Sequence, residues 1–294
     1  MTPSLELLPA TPRSESPNVR LLRRTFRSPS AVIGALILFL LLAASLAAPF
    51  LTDRDPDLIN PGQALKPPSL SQPMGTDNIG RDNWARFLFG GRLSLLVGVI
   101  AIAIGATAGI TIGAVAGYFG GWVDSALSWS MDVLISFPDL LLALAMIAVL
   151  GPGLINAMIA VGIAFIPGFA RLTRSSVLSI REQNYVEAAR ALGASDASIL
   201  LTHLLPNALR PLLVLTTLSI GSAILTGAAL SFLGLGAQPP TPEWGAMLNA
   251  GQKFVRQAWW LTVFPGLGIF LTILSLNLLG DALSDAAAGG TGGR

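Results

Sequence analysis

The side chains able to do chemistry gather in one polar stretch, YVEAARALGASDASILLTHLLPN, residues 185–207. It carries carboxylates at Glu187 and Asp196, a guanidinium at Arg190 and the only imidazole of the chain, His203. A protein zinc site takes three or four His, Cys or carboxylate ligands. With one histidine and no cysteine in 294 residues, no metal site is expected, and disulfides and iron–sulfur clusters are excluded. No G-x-x-x-x-G-K-[ST] phosphate loop occurs, nor a Ser/His/Asp set suited to nucleophilic hydrolysis. The chain is therefore expected to be no enzyme: it has no catalytic residue, binds no cofactor and splits no ATP. What remains for the stretch is docking against something soluble.

The local sequence predicts how that stretch folds. Residues 182–192 are rich in strong helix formers. Gly193 stands where a helix ends in a left-handed residue. Ser195 is placed as an N-cap, with Asp196 in the first turn facing the positive helix end. Ile199, Leu200 and Leu204 would form the apolar side of a second short helix, and Pro206, lacking an N–H, is expected to close it. His203 reads as a capping group or a contact with a neighbouring subunit.

The elements that must position this loop are membrane helices. The sequence is 52% hydrophobic and 12% charged, against about 25% charged in soluble domains. A net charge of +2 gives no basis for nucleic-acid binding. Residues 1–28 are polar and Pro/Ser-containing, and read as a largely disordered tail. An apolar run follows at 31–50. It is longer than the ~7–15 residues of a signal-peptide core, so an uncleaved first span is expected. Further spans are expected at 93–117, 133–150, 154–172, 211–232 and 259–279. The fold class is thus all-α: a polytopic membrane protein with six helices, residues 29–285 forming the membrane domain and 286–294 a short tail. In the second span Gly105, Gly109, Gly113 and Gly117 recur every four residues, a stripe that lets another backbone approach closely. The spacing does not say whether that neighbour lies in this chain.

Basic residues give the orientation. Arg20, Arg23, Arg24 and Arg27 place the N-terminus in the cytoplasm. Six crossings then put the loop carrying Arg171, Arg174, Arg181, Arg190 and Arg210 on the same side, and the C-terminus with it. Asp124, Asp132 and Asp139 bracket the third span beside Trp122 and Trp129, and are expected at the interface rather than on an ion path. Thr216, Ser219, Ser222 and Thr226 put hydroxyls along the fifth span. Ser219, Ser222 and Thr226 share a face, which either bonds to backbone and neighbouring helices or lines a hydrated path.

Several motifs resemble one family. Glu187, Ala188 and Ala189, with Gly193 and Leu205-Pro206, match the EAA loop of membrane subunits of bacterial ABC importers. His203 stands where that loop usually has an apolar residue, as it does in the dipeptide/oligopeptide/nickel branch. Gly75-Thr76-Asp77 with Gly80-Arg81-Asp82, Ser231 to Gly236 with Gln238-Pro239-Pro240 and Trp244-Gly245, Phe264-Pro265-Gly266, and Asn277 to Asp281 resemble segments of the same branch. The resemblance covers nearly everything after Ser28. It implies a permease subunit of the bacterial inner membrane, embedded in lipid and forming half of a pathway for di- or oligopeptides. Glutathione, nickel or a metal chelate is the alternative cargo, and a stand-alone channel or ion-coupled carrier the alternative class. The implied partners are a homologous permease subunit, two cytoplasmic ATPase subunits that bind ATP and Mg, and an external solute-binding protein. The implied ATPase-coupling residues are Glu187, Ala188, Ala189, Gly193, Ser195, Asp196, Leu205 and Pro206.

Overall fold

The computed structural model describes residues 23–288. The expected N-terminal tail lies outside these residues up to position 22, and the C-terminal tail from 289 onward. The described chain is helical: α1 (Pro29–Leu46), α2 (Ala48–Leu51), α3 (Asn83–Phe119), α4 (Gly121–Ile135), α5 (Asp139–Leu150), α6 (Leu154–Arg181), α7 (Asn184–Ala191), α8 (Asp196–Ser198), α9 (Leu205–Phe232), α10 (Trp244–Gly251) and α11 (Trp260–Ala288). Five of these, α1, α3, α6, α9 and α11, contain stretches long and apolar enough to cross a membrane.

The third expected span is corrected in one respect. It is not one straight helix. α4 and α5 meet at a 94° bend. Pro138 is the cause: a proline disfavours helical geometry in the residue before it and removes a backbone donor. Leu142 recovers the proline's carbonyl as its hydrogen-bond acceptor, at 3.0 Å. α5 buries Leu142, Ala143 and Ile147. α4 buries nothing fully and shows Trp122 and Trp129 to the outside.

The glycine stripe of α3 packs within the chain. α3 makes its most extensive contact with α6. A side chain at Gly105 would stand 2.9 Å from the carbonyl oxygen of Gly162, and one at Gly109 2.5 Å from that of Ile166. Gly113 and Gly117 meet the carbonyls of Ala170 and Arg174 in the same way. Each step of four residues on one helix thus meets a step of four on the other, so the backbones touch along about three turns. Ala101, Ile102, Ile147, Val161, Phe169, Ala223 and Leu230 fill the core where α3, α5, α6 and α9 converge. α11 and α1 complete the bundle, with α11 lying against both α9 and α1.

α3 is 37 residues long, about 55 Å at 1.5 Å per residue. That is well beyond a ~30 Å hydrocarbon core. Its first turns are covered by a cap built from residues 52–82 and 233–259. Here the GTDNIGRD segment shows its purpose. Asp77 accepts from the N–H groups of Ile79 and Arg81 and pairs with the Arg81 side chain at 2.6 Å. Asp82 caps α3 by accepting from the Ala85 N–H, and pairs with Arg54 at 2.5 Å. Gly80 has φ +82°, and a β-carbon added there would collide with the Asn60 carbonyl oxygen, so no side chain would fit. Buried Arg86 ties α3 to both halves of the cap, through Asp57 at 2.9 Å and the Pro240 carbonyl at 3.2 Å. Glu243, 2% exposed, accepts from the N–H groups of Gly245 and Ala246 at the start of α10 and from the Ser94 hydroxyl of α3. Trp244 stacks on Phe87 and donates to its carbonyl oxygen at 3.0 Å.

Candidate functional site

The opposite end of α3 meets the polar stretch. α7 ends as its sequence requires. Gly193, at φ +83°, directs its N–H to the Arg190 carbonyl, and the Ala194 N–H reaches back to the Ala189 carbonyl. This is the paired closure of a Schellman turn. Ser195 then caps α8, its hydroxyl accepting from the Ser198 N–H at 3.3 Å. Ile199 and Leu204 are fully buried against Tyr118, Val177 and Val186, with Leu200 packed beside them. The apolar side expected of this segment is therefore the side that docks on the bundle.

Pro206 does not close the second helix, contrary to expectation. Residues Ile199–Leu204 form a π-helical segment that runs straight on into α9. Pro206 falls where the π segment passes into α9, so the helix takes a residue with no N–H to give at the point where its turns are widened. Asn207 bonds back to the His203 carbonyl at 2.7 Å, satisfying a carbonyl in this irregular turn. The loop is thus one continuous body with the fifth span rather than a separate rod between two hinges. Single π segments of this kind collect at functional sites.

The coupling residues implied by the resemblance occupy one surface region. Glu187, Ala188, Gly193, Ser195, Asp196 and Pro206 are exposed, and Ala189 and Leu205 are half-buried. Beside them Leu192 and Leu201 are 88% and 62% exposed. Two exposed leucines on an otherwise charged loop were not singled out in the sequence, because exposure is invisible in a short apolar pattern. His203 stacks against Tyr185 with ring centroids 6.3 Å apart and bonds to the Thr202 hydroxyl through Nδ1 at 2.7 Å. It is held by its immediate neighbours.

Two further anchors were not foreseen. Arg181 donates to the carbonyl oxygens of Gly117 and Tyr118 at 2.8 and 3.3 Å, filling acceptors that the end of α3 leaves open. The Tyr118 hydroxyl donates to Asp196 at 2.5 Å. The chain has two tyrosines, and this one follows directly on the glycine stripe, the one available signal of its place. The expected interfacial acids also find partners: Asp124 pairs with Arg174, and Asp132 with Arg171 at 2.9 Å. Asp139 is exposed at the start of α5. Along α9, Ser219 is buried, Ser222 is exposed, and Thr226 donates to the Ser222 carbonyl at 3.0 Å. Thr216 likewise donates to the Leu212 carbonyl at 2.7 Å.

Known proteins resemble this chain in sequence and in fold. Residues 109–289 match the family described as "Binding-protein-dependent transport system inner membrane component". Residues 16–68 match the "N-terminal TM domain of oligopeptide transport permease C". The chain is 44% identical over 256 residues to the dipeptide transport system permease protein DppC of Alkalihalophilus pseudofirmus, covering 87% of this chain and 84% of that one. It is 46% identical over 270 residues to the glutathione transport system permease protein GsiD of Escherichia coli, covering 90% and 88%. It is 42% identical over 267 residues to the probable D,D-dipeptide transport system permease protein DdpC of Escherichia coli, covering 91% and 90%. Among solved structures, an inward-facing MetNI methionine ABC transporter superposes with a TM-score of 0.51 at 21% identity, over 68% of this chain and 94% of that one. The glycine-striped bundle, the capped long helix and the exposed loop are therefore those of a transport subunit, and the chain belongs to the family of inner membrane components of binding-protein-dependent transport systems.

Proposed function

We propose that this chain forms half of the translocation pathway of an ATP-driven importer of di- or oligopeptides, and that the loop around Glu187 and Gly193 receives the motion of an ATPase. The observation that carries the reading is the construction of the loop. Its exposed side presents Glu187, Ala188, Asp196, Leu192 and Leu201, while Val186, Ile199 and Leu204 lock the other side onto the bundle. Peptide cargo is supported by the relatives, named for dipeptide, D,D-dipeptide and glutathione transport.

A homologous permease subunit supplies the other half of the path. Two cytoplasmic ATPase subunits carry ATP and Mg, and a solute-binding protein delivers cargo at the cap. Both termini and the loop then lie in the cytoplasm, in accord with the arginine clusters. Glu187, Ala188, Ala189, Gly193, Ser195, Asp196, Leu205 and Pro206 form or shape the ATPase seat, and Ser219, Ser222 and Thr226 are the hydroxyls we assign to the path. Switching a two-state bundle from 1:99 to 99:1 takes about 5.5 kcal/mol of differential binding. That is more than one surface contact supplies, so the seat must be stiff and must act on several helices at once.

The test is uptake by the complete transporter in vesicles. Peptide should accumulate only with ATP and the binding protein present. Accumulation by this subunit alone, or without nucleotide, would overturn the reading.

A further inference from the structure

The geometry points to Tyr118 as the positioning residue that carries displacement of the loop into α3, through its hydrogen bond to Asp196. This rests on the coupling role proposed for the loop and adds the route by which motion leaves it.

The loop has covalent routes to two membrane helices. It follows α6 directly through residues 182–183, and it continues through the π segment into α9. It has no short chain connection to α3, whose last residue, Phe119, lies far back in the sequence. Motion must therefore enter α3 through non-covalent contact. The apolar contact of Tyr118 with Val177, Ile199 and Leu204 resists separation, but such contacts are non-directional and permit sliding. A hydrogen bond is directional and weakens steeply when bent or stretched. The Tyr118 hydroxyl meets Asp196 at 2.5 Å. Asp196 lies in the first turn of α8, directly after its cap Ser195, on the exposed part of the loop. One atom of α3 thus reaches through the apolar layer to the side offered to a partner. Behind it, Arg181 at the end of α6 donates to the carbonyls of Gly117 and Tyr118, which keeps this end of α3 seated against the start of the loop.

Tyr118→Phe keeps the ring and its apolar packing and removes only the hydroxyl. In the complete reconstituted transporter, uptake per ATP hydrolysed should fall roughly fivefold, the size expected for one lost hydrogen bond. ATP hydrolysis stimulated by the binding protein should persist. Because the chain has no cysteine, Tyr118→Cys with Asp196→Cys gives a clean pair. That double variant should be uncoupled when free, and a short bis-maleimide bridging the two positions should restore uptake per ATP. A wild-type ratio in Tyr118→Phe would overturn the proposal. So would loss of assembly in that variant, which would mark a folding role, or failure of the bridge to restore coupling. Failure of the underlying reading looks different: the wild-type transporter itself would then show no ATP-dependent uptake.

Discussion

Arg174 grips Asp124 with two parallel hydrogen bonds, Nε and Nη2 each to its own carboxylate oxygen, the second at 2.7 Å. The pair joins α6 to α4, the half of the bent span that buries no residue fully. Arg171 and Asp132 make a second link nearby, but both of their side chains are more than half exposed. Between these helices and α3 lies a cavity of about 270 Å³ lined by Ile112, Leu127, Met131 and Ala170.

The two links should therefore differ in weight. A two-pronged, partly buried Arg–carboxylate pair contributes more than a solvated one. Arg174→Ala should loosen α4 by about 1 kcal/mol and speed thiol labelling of a Met131→Cys reporter several-fold. Arg171→Ala should leave the labelling rate within error. Equal rates in the two backgrounds would show that apolar contacts alone hold α4.

The helix pair α3 and α6 should tolerate no added bulk at its contact line. Gly113→Val would drive a branched side chain into the Ala170 carbonyl and Thr173. Overpacking of this kind typically costs about 1–3 kcal/mol. The expected result is a melting temperature lowered by several degrees in detergent, with less folded protein recovered. Gly168 on α6 has nothing within 4 Å of a added methyl group, so Gly168→Ala should melt no lower than wild type.

Glu243 gives a third test, on the cap. Its carboxylate satisfies two N–H groups of α10 and the Ser94 hydroxyl while almost wholly buried. Glu243→Ala orphans these donors and should cost about 1–3 kcal/mol. Glu243→Gln keeps one oxygen acceptor and should cost less. Thermal denaturation followed by intrinsic fluorescence orders the three proteins, with Trp244 as a local probe.

At Gly193 the strain is confined to the backbone. A side chain there meets no atom within 4 Å, yet φ is +83°. Gly193→Val should thus insert and assemble, while the turn after α7 distorts at a cost of about 1–3 kcal/mol. ATP hydrolysis should run without matching peptide uptake. Gly193→Asn, which tolerates the left-handed region better, should keep more of the uptake. Full uptake in the valine variant would show that the shape of this turn is immaterial to coupling.

Much of this architecture could be read along the sequence because it is local. The glycine spacing, the left-handed stop at Gly193, the cap at Ser195 and the buried side of Ile199 and Leu204 each depend on residues within a turn or two of one another. Hydropathy likewise located the membrane helices. It could not see direction, so the stretch through Pro138 read as a straight span and not as two helices bent by 94°. Pro206 misled for a related reason: a proline usually breaks a helix from within, and the π segment that precedes this one shows only in the structure. The links from Arg174 to Asp124 and from Tyr118 to Asp196 join residues 50 and 78 positions apart. No local pattern marks such pairs. The coupling residues are implied by family resemblance alone, and the exposure of Leu192 and Leu201 beside them shows only in the fold.

The length of α3 has a mechanical consequence. Because it outruns the hydrocarbon layer, one unbroken rod is attached to the cap through its own Arg86 and Ser94, held by Asp57 and Glu243, and to the loop at its other end through Tyr118, held by Asp196. The close glycine contact with α6 occupies the half of the rod next to Tyr118, from Gly105 to Gly117. Over that length the two helices are bound to tilt together. A small displacement at the loop would then sweep the free half of the rod, and the cap fixed to it, through a larger arc.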